Sequence, residues 1–362
     1  MNCYSERFSG ITARISALFS GPAVVTVLIY ALLPVLCVLS LFIGRYDVPP
    51  HHVLHLLATP IINLLPTEIF PASGYSMTLP EQNVIYQIRL PRVFAAVLVG
   101  AGLSIAGASY QGLFRNPLVS PDILGVASGA GFGAALAILI SAGSFTIQLS
   151  AFCFGIIAVA VTYLLSRSYR RNQTLILVLS GIIVGAFFTA LISFTKYVAD
   201  PYEKLPAITF WLMGSLATVR MTDLFIVAPP LLAAAGILLL IRWRINILAI
   251  GDDEAMALGM DTKRMTQITI ICSTLITASA VCIAGIIGWV GLVVPHLGRM
   301  ITGPDYKRLL PVTFVLGATY LLIIDDIARM LISTEIPLGI LTSVIGAPFF
   351  AYLLRRRPVG WI

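Results

Sequence analysis

Apolar residues run along this chain in long blocks, separated by short clusters of polar and charged residues. A helix needs about 20 apolar residues to cross a bilayer, and ten blocks approach or exceed that length. The blocks near 121–141 and 287–301 are rich in Gly or contain Pro, so they are candidates for short or broken spans. The pattern predicts an all-α, polytopic membrane bundle with spans near 22–43, 93–111, 121–141, 147–166, 174–198, 224–241, 265–285, 287–301, 309–331 and 337–354.

Composition leads to the same fold class. The 362 residues are 58% hydrophobic and only 11% charged, whereas a soluble domain carries about 25% charged residues. The net charge of +7 does not indicate nucleic acid as a partner, because the basic residues lie at the ends of the apolar blocks. We therefore expect the lipid bilayer to be the main solvent, with one transmembrane domain spanning residues 1–362.

The basic residues also predict the orientation. Cytoplasmic loops carry an excess of Lys and Arg, and with ten spans most of the 23 Lys and Arg residues fall on the side that holds both termini. Both termini are therefore predicted to be cytoplasmic, with a long outer loop at about 45–90. The outer side then holds Arg45, Arg89, Arg92, Lys196, Lys204, Arg220 and Arg329.

Residues that could carry chemistry are few. The chain contains no H-E-x-x-H motif and no G-x-x-x-x-G-K-[ST] phosphate loop, so enzyme activity has no support and any ATP must be bound by another chain. Among His51, His52 and His55, the pair His51 and His55 has i,i+4 spacing, but a solvated loop cluster is favoured over a metal site. We predict no catalytic residue and no metal ligand.

Intramembrane charge is also scarce. Asp325 and Asp326 lie near the outer end of the ninth span, and Asp325 and Arg329 are spaced i,i+4, which predicts a local ion pair. An ion-coupled transporter usually carries a buried relay of ionisable residues at midspan. The sequence pattern contains no such relay, so an ion-coupled transporter is the less favoured alternative.

Small residues recur at four-residue spacing, at Gly125, Gly129 and Gly133 and again at Gly181 and Gly185. Such residues allow close helix packing, here within the chain or at a subunit interface. A weak internal echo relates Ile105-Ala106-Gly107 with Gly112-Leu113 to Ile283-Ala284-Gly285 with Gly291-Leu292. In the predicted topology the copies run in opposite directions, so the echo is either an inverted repeat or chance.

The acidic stretch 251–259 lies between two inner span ends. Asp252 or Asp253 could cap a short helix there and Gly259 could end it. A short surface helix suits docking to a partner, and on these residues alone a solvated connector is equally acceptable.

An ordered set of motifs adds a family resemblance. The motifs are, in chain order, Arg89-Leu90-Pro91-Arg92, Gly107 to Gln111, Arg115-Asn116-Pro117-Leu118, Ser120-Pro121-Asp122, Gly251-Asp252-Asp253-x-Ala255-x-x-Leu258-Gly259, Gly291-Leu292-Val293-Val294-Pro295-His296, Pro337-Leu338-Gly339 and Gly346-Ala347-Pro348. With these motifs, residues from about 80 to 355 resemble the FecCD-type permeases of ABC importers for iron–siderophores, haem and cobalamin, whereas residues 1–80 match poorly.

The resemblance implies a bacterial inner-membrane complex of two permeases, identical or paralogous, with a cytoplasmic ABC ATPase dimer and a periplasmic or lipoprotein substrate-binding protein. ATP and Mg would be bound by the ATPase and no cofactor by this chain. The implied cargo is an iron chelate, with haem or cobalamin as alternatives. The implied roles are docking of the binding protein at Arg89, Arg92 and Arg329; ATPase coupling at Gly251, Asp252, Asp253, Glu254, Ala255, Leu258 and Gly259; and a path or gate at Thr174, Ser180, Gly181 and Gly185.

Overall fold

The computed structural model describes residues 22–54, 78–167, 173–332 and 334–355, and these residues form helices and connecting loops without a strand. A short helical turn covers 50–54, and a π-helical turn, Val84–Arg89, joins α2 to α3. The helices are α1 Pro22–Phe42, α2 Leu79–Asn83, α3 Leu90–Leu113, α4 Val126–Leu139, α5 Ser144–Arg167, α6 Gln173–Val198, α7 Lys204–Met213, α8 Met221–Leu240, α9 Arg242–Ile250, α10 Asp252–Ala257, α11 Thr262–Ala284, α12 Val290–Thr302, α13 Tyr306–Met330 and α14 Leu338–Arg355.

The described helices confirm the all-α polytopic prediction. Seven are long and apolar enough to cross a membrane, and three shorter apolar helices complete the ten predicted spans. Two of the short ones, α4 and α12, are the spans that the sequence marked as broken or incomplete. The predicted outer loop 45–90 is too long, because helical structure resumes at Leu79 and continues through the π turn into α3. Pro80 occupies a first-turn position, where a missing N–H costs no hydrogen bond, and Pro91 follows directly after the π turn.

Helix α3 is the centre of the bundle, because 89% of the residues in its apolar, membrane-crossing stretch are buried. Helix α1 is peripheral, since only 11% of the residues in its corresponding stretch are buried. Helix α3 crosses α13 where Gly100 meets Gly317, and a Cβ on either residue would overlap the backbone carbonyl of the other. Lipid offers no hydrophobic force between helices, so this close backbone approach supplies the packing that holds the two together.

The two copies of the internal echo meet inside the bundle. Gly107 of the first copy lies against the backbone of Gly291 in the second, with no room for a Cβ between them. Nearby, Arg299 Nη1 donates to Gln111 Oε1 at 2.6 Å and so ties α12 to α3. These motif residues therefore have a packing role, and the inverted-repeat interpretation stays a prediction.

The four-residue glycine spacing on α4 serves packing within the chain. A Cβ at Gly129 or Gly133 would collide with the backbone carbonyls of Phe154 and Ser150 on α5. Ser150 Oγ also donates to the Gly133 carbonyl at 2.7 Å. At these two positions the structure supports internal packing over a subunit interface.

Candidate functional site

A buried ionic cluster lies where the start of α3 meets the end of α13. Arg92 Nε donates to both carboxylate oxygens of Asp325 at 2.9 Å, and its Nη1 donates to Glu335 at 2.8 and 2.9 Å. Arg329 Nε lies 3.3 Å from Asp325 Oδ2, as the i,i+4 spacing predicted. The side chain of Asp325 is 0% exposed and that of Glu335 is 35% exposed, so Glu335 is the outermost carboxylate of the cluster.

Arginines at the same place also form hydrogen bonds with the end of α1. Arg89 donates to the carbonyls of Leu41, at 2.7 Å, and Tyr46. Arg329 donates to the Ile43 carbonyl at 3.0 Å and, together with Ser40, contacts Asp326. The last carbonyls of a helix lack intrahelical partners, and here arginines supply the donors. The peripheral helix α1 is thus bound to the bundle at this end.

The three arginines predicted to receive a binding protein are therefore brought together, and all three are buried. Arg89, Arg92 and Arg329 are 2%, 3% and 6% exposed. Their contacts give them a definite internal role in joining α1, α3 and α13. Their docking role stays a prediction.

The acidic segment lies at the opposite end of α3. Arg115, two residues beyond the end of α3, has Nη2 3.4 Å from Asp252 Oδ2. Helix α3 has 24 residues, which gives a length of about 36 Å, more than the hydrocarbon core of about 30 Å. The arginine cluster and the acidic segment are thus separated by a full membrane thickness.

Within the acidic segment the predicted helix exists as α10, but the predicted cap is wrong. Gly251 holds the cap position and the acids Asp252, Asp253 and Glu254 occupy the first turn, where they face the positive end of the helix dipole. The side chain of Glu254 folds back against Gly251, into space that a Cβ would occupy. Gly259 has a φ of +78°, so it ends the segment in the left-handed region as predicted.

A groove of about 990 Å³ joins α10 to the start of α6. Its walls include Arg115 and Asn116 from the loop after α3, Asp252 and Met256 from α10, and Thr174 from α6. Thr174, the predicted gate residue, therefore shares one groove with the predicted coupling helix. The groove separates α10 from the first turn of α6, and the loop after α3 lines it between them.

The other three predicted path residues lie further along α6. Ser180 is 6% exposed. A Cβ at Gly181 would overlap the carbonyl of Ile123, and Gly185 lies near Ser128. Gly181 thus allows the loop before α4 to approach α6, and the path role of Ser180, Gly181 and Gly185 stays a prediction.

The histidine cluster is partly described. His52 Nδ1 lies 3.2 Å from Glu81 Oε2 and the rings of His51 and His52 contact edge to face. His55 lies outside the described residues. Among the residues that are described, no group of three potential ligands could hold a metal ion.

Comparison with known proteins assigns this arrangement to a family. The family model of the FecCD transport family matches residues 32–356, nearly the whole chain. The chain belongs to the FecCD transport family. This FecCD sequence is 42% identical over 329 residues to the molybdate import system permease protein MolB of Haemophilus influenzae, covering 91% of this chain and 94% of that relative.

Another relative of this FecCD chain is named for a different cargo. The Fe(3+)-citrate import system permease protein YfmE of Bacillus subtilis is 36% identical over 339 residues, covering 92% of this chain and 95% of the relative. A solved inward-facing structure, described as a metal-chelate type ABC transporter, is 40% identical with a TM-score of 0.79 and covers 91% of this chain and 98% of its own. The motif-based family resemblance is confirmed, and the chain is a multi-pass membrane protein.

Sequence reasoning missed two features of this FecCD protein. Glu335 was not singled out, although its position in the short connection between the ninth and tenth spans placed a carboxylate near Arg329. The segment 242–250 lay outside the predicted spans and was given no structure, but it forms helix α9, with Ile245 and Leu248 buried. The apolar Ile245 and Leu248, three residues apart, were the available signal for a helix face.

Proposed function

We propose that this protein is the membrane-spanning permease subunit of an importer that moves an iron chelate inward, driven by ATP hydrolysis on a separate cytoplasmic ATPase dimer. The observation that carries the proposal is the placement of α10 and the arginine cluster at opposite ends of α3, in a chain of the FecCD family. In this orientation α10 and both termini face the cytoplasm of a bacterial cell, and the cluster faces the periplasm or cell exterior.

Helix α10 has the surface expected of an ATPase contact. Ala255 is fully buried, whereas Met256 is 53% exposed and Leu258 is 67% exposed. Exposed apolar side chains next to a row of acids, on a short helix at the membrane end, suit insertion into a groove of a partner. Closure of the ATPases would displace α10, and the Arg115–Asp252 pair would carry that displacement to the loop after α3, which lines the same groove as Thr174 of α6.

The outer cluster supports docking of a substrate-binding protein in a specific way. A carboxylate of the binding protein would have to reach arginines that are now paired internally. Glu335 is the exposed partner of Arg92, so an incoming carboxylate would replace Glu335 and keep the arginine paired. Arg89 and Arg329 would hold the end of α1 in place during this exchange. Replacing Glu335 by Gln is expected to strengthen capture of the binding protein.

A second permease copy, identical or paralogous, completes the path. Helix α6 exposes a row of large apolar residues and has no charged residue between Thr174 and Thr195. A path without charge binds a cargo weakly, so selectivity would come from the binding protein. The exposed residues of this row are Leu175, Leu179, Ile182, Ile183, Phe187 and Phe194.

Molybdate is the second candidate cargo, because the relative described as a molybdate permease is 42% identical and covers 91% of this chain. Uptake of the two cargoes would be compared in proteoliposomes that contain this protein with its co-purifying ATPase and binding protein, using ⁵⁵Fe–siderophore and ⁹⁹Mo-molybdate.

The same vesicles test the mechanism. Uptake is expected to require ATP on the α10 side, to survive a protonophore, and to fall at least tenfold in an Asp252→Arg variant that still assembles in the membrane. Glu203→Gln, at an exposed carboxylate beside α7, is the matched control and should transport normally. Uptake without ATP that collapses with the protonophore would instead show an ion-coupled transporter.

A further inference from the structure

A second groove lies at the α10 end of the molecule, on the outside of the bundle. It has a volume of about 700 Å³ and lies between the end of α8, the start of α9 and the first turn of α13. Its lining residues are Gly236, Leu239, Leu240, Arg242, Trp243 and Lys307. One part is therefore apolar and belongs to a membrane-spanning helix, and the other part carries two cations and an indole ring.

The two cations are held close together by a fixed connection between α9 and α13. Asn246 of α9 donates to Asp305, and the backbone N–H of Tyr306 donates to Asn246 Oδ1 at 2.7 Å. Asp305 also caps α13 by accepting from the backbone N–H of Lys307. The Asn246 hydrogen bond, aided by the Lys307 backbone, holds the pKa of Asp305 below its usual value. The groove thus lies between anchored helix ends.

The charge around the groove is positive and is available to a ligand. Arg242 and Lys307 are exposed, and neither forms an ion pair with any other described residue. Arg244 and Arg308 add positive charge nearby, and Asp305 is the acidic residue next to them. The charges of Lys307 and Arg308 also act on Asp305, but the four cations outnumber this one carboxylate, so the electrostatic potential of the groove favours an anion.

The apolar part of the groove has room for a hydrocarbon chain. A Cβ built on Gly236 would meet no atom within 4 Å, so the surface of α8 is open there. Leu240 is 79% exposed and Trp243 is 47% exposed. Trp is enriched at the level of lipid headgroups, and here Trp243 lines the same groove as Leu240 and the two cations.

We propose that this groove binds an anionic phospholipid, with the phosphate between Arg242 and Lys307 and one acyl chain along Gly236 and Leu240. Basic pockets between transmembrane helices are known to hold anionic headgroups. A free phosphate would use only the cations and would leave the apolar part of the groove open. The orientation proposed above places the lipid in the cytoplasmic leaflet, next to the helices that lead to α10.

The test is retention of lipid by the purified full-length protein, measured by native mass spectrometry with phosphatidylglycerol and phosphatidylcholine of the same acyl chains. Each basic residue near an anionic headgroup favours binding by about fivefold, so the wild type should prefer phosphatidylglycerol by about 25-fold. The double variant Arg242→Gln/Lys307→Gln should lose that preference. The matched control Lys263→Gln/Arg264→Gln, two exposed cations outside the groove, should keep it.

A third variant separates a lipid from a free anion. Gly236→Leu adds a side chain whose Cβ meets no atom within 4 Å and covers the open surface of α8, so it should lower phosphatidylglycerol retention at least fivefold while both cations remain. Glycerol 3-phosphate, the headgroup chemistry without chains, should not displace the lipid. The proposal is overturned if the wild type shows no preference, if the control loses as much as the groove variant, or if glycerol 3-phosphate displaces the lipid and Gly236→Leu has no effect. The result is independent of ATP-driven transport, so the lipid site and the importer function can fail separately.

Discussion

Asp325 is the residue on which the buried cluster depends, and Asp325→Asn is the most informative single change. The amide keeps the shape of the carboxylate but removes the charge that faces Arg92 at 2.9 Å and Arg329 at 3.3 Å. Both arginines are nearly fully buried, so water cannot replace the lost partner. Breaking a buried ion pair from one side typically costs about 3–5 kcal/mol, and we expect a loss in that range.

The assay is the free energy of unfolding in mixed detergent micelles, compared with Glu203→Gln as the control. Glu203 lies 3.5 Å from Lys204 and its side chain is 80% exposed, so that pair should contribute less than about 1 kcal/mol. A loss of less than about 1 kcal/mol for Asp325→Asn would refute the reasoning, because it would mean that the cluster does not join α3 to α13.

Three further predictions follow from packing, capping and the inner ion pair. Gly317→Ala should destabilise the protein by at least about 2 kcal/mol in the same assay, because the added methyl group meets the Gly100 carbonyl. The control Gly143→Ala should leave the stability unchanged, since a Cβ there meets no other atom. Asp305 has a lowered pKa in the folded protein. Its contribution to stability is therefore present above the unfolded pKa of about 4 and is lost as the pH falls through the folded pKa. Asp305→Asn should be less stable than wild type at pH 7, and urea titrations across pH should show the difference in unfolding free energy closing below about pH 4. Asp252→Arg should uncouple ATP hydrolysis from transport, and the swap Arg115→Asp/Asp252→Arg should restore part of the coupling; equal coupling ratios in all three proteins would exclude a role for that pair.

Local sequence features predicted local structure well. The ten spans followed from hydropathy, and the Asp325–Arg329 pair followed from i,i+4 spacing, because both depend only on neighbours along one helix. The end of the acidic helix at Gly259 was also predictable, since a glycine is favoured where φ is positive. The start was not, because Gly251 was read as lying outside the helix and the acids as its cap.

Contacts between distant residues could not be predicted. Arg92 reaches Asp325 across 233 positions and Glu335 across 243, and only the packing of α3 against α13 brings them together. The sequence predicted that the three arginines share one end of the bundle, opposite the acidic segment, and left their burial unknown. Helix α2 lies within the predicted outer loop at about 45–90, and the sequence pattern indicated no boundary for it there.

The central claim is that α10 and the arginine cluster face opposite sides of the membrane, with α10 in the cytoplasm. The most direct test is labelling of single cysteines by a membrane-impermeant maleimide, in a variant whose native cysteines are replaced by alanine. Met256→Cys on α10 and Leu331→Cys beside Arg329 are suitable, since these side chains are 53% and 62% exposed. Residue 331 should react in intact cells and residue 256 only in inside-out vesicles. Reaction of both from the same side would contradict the account.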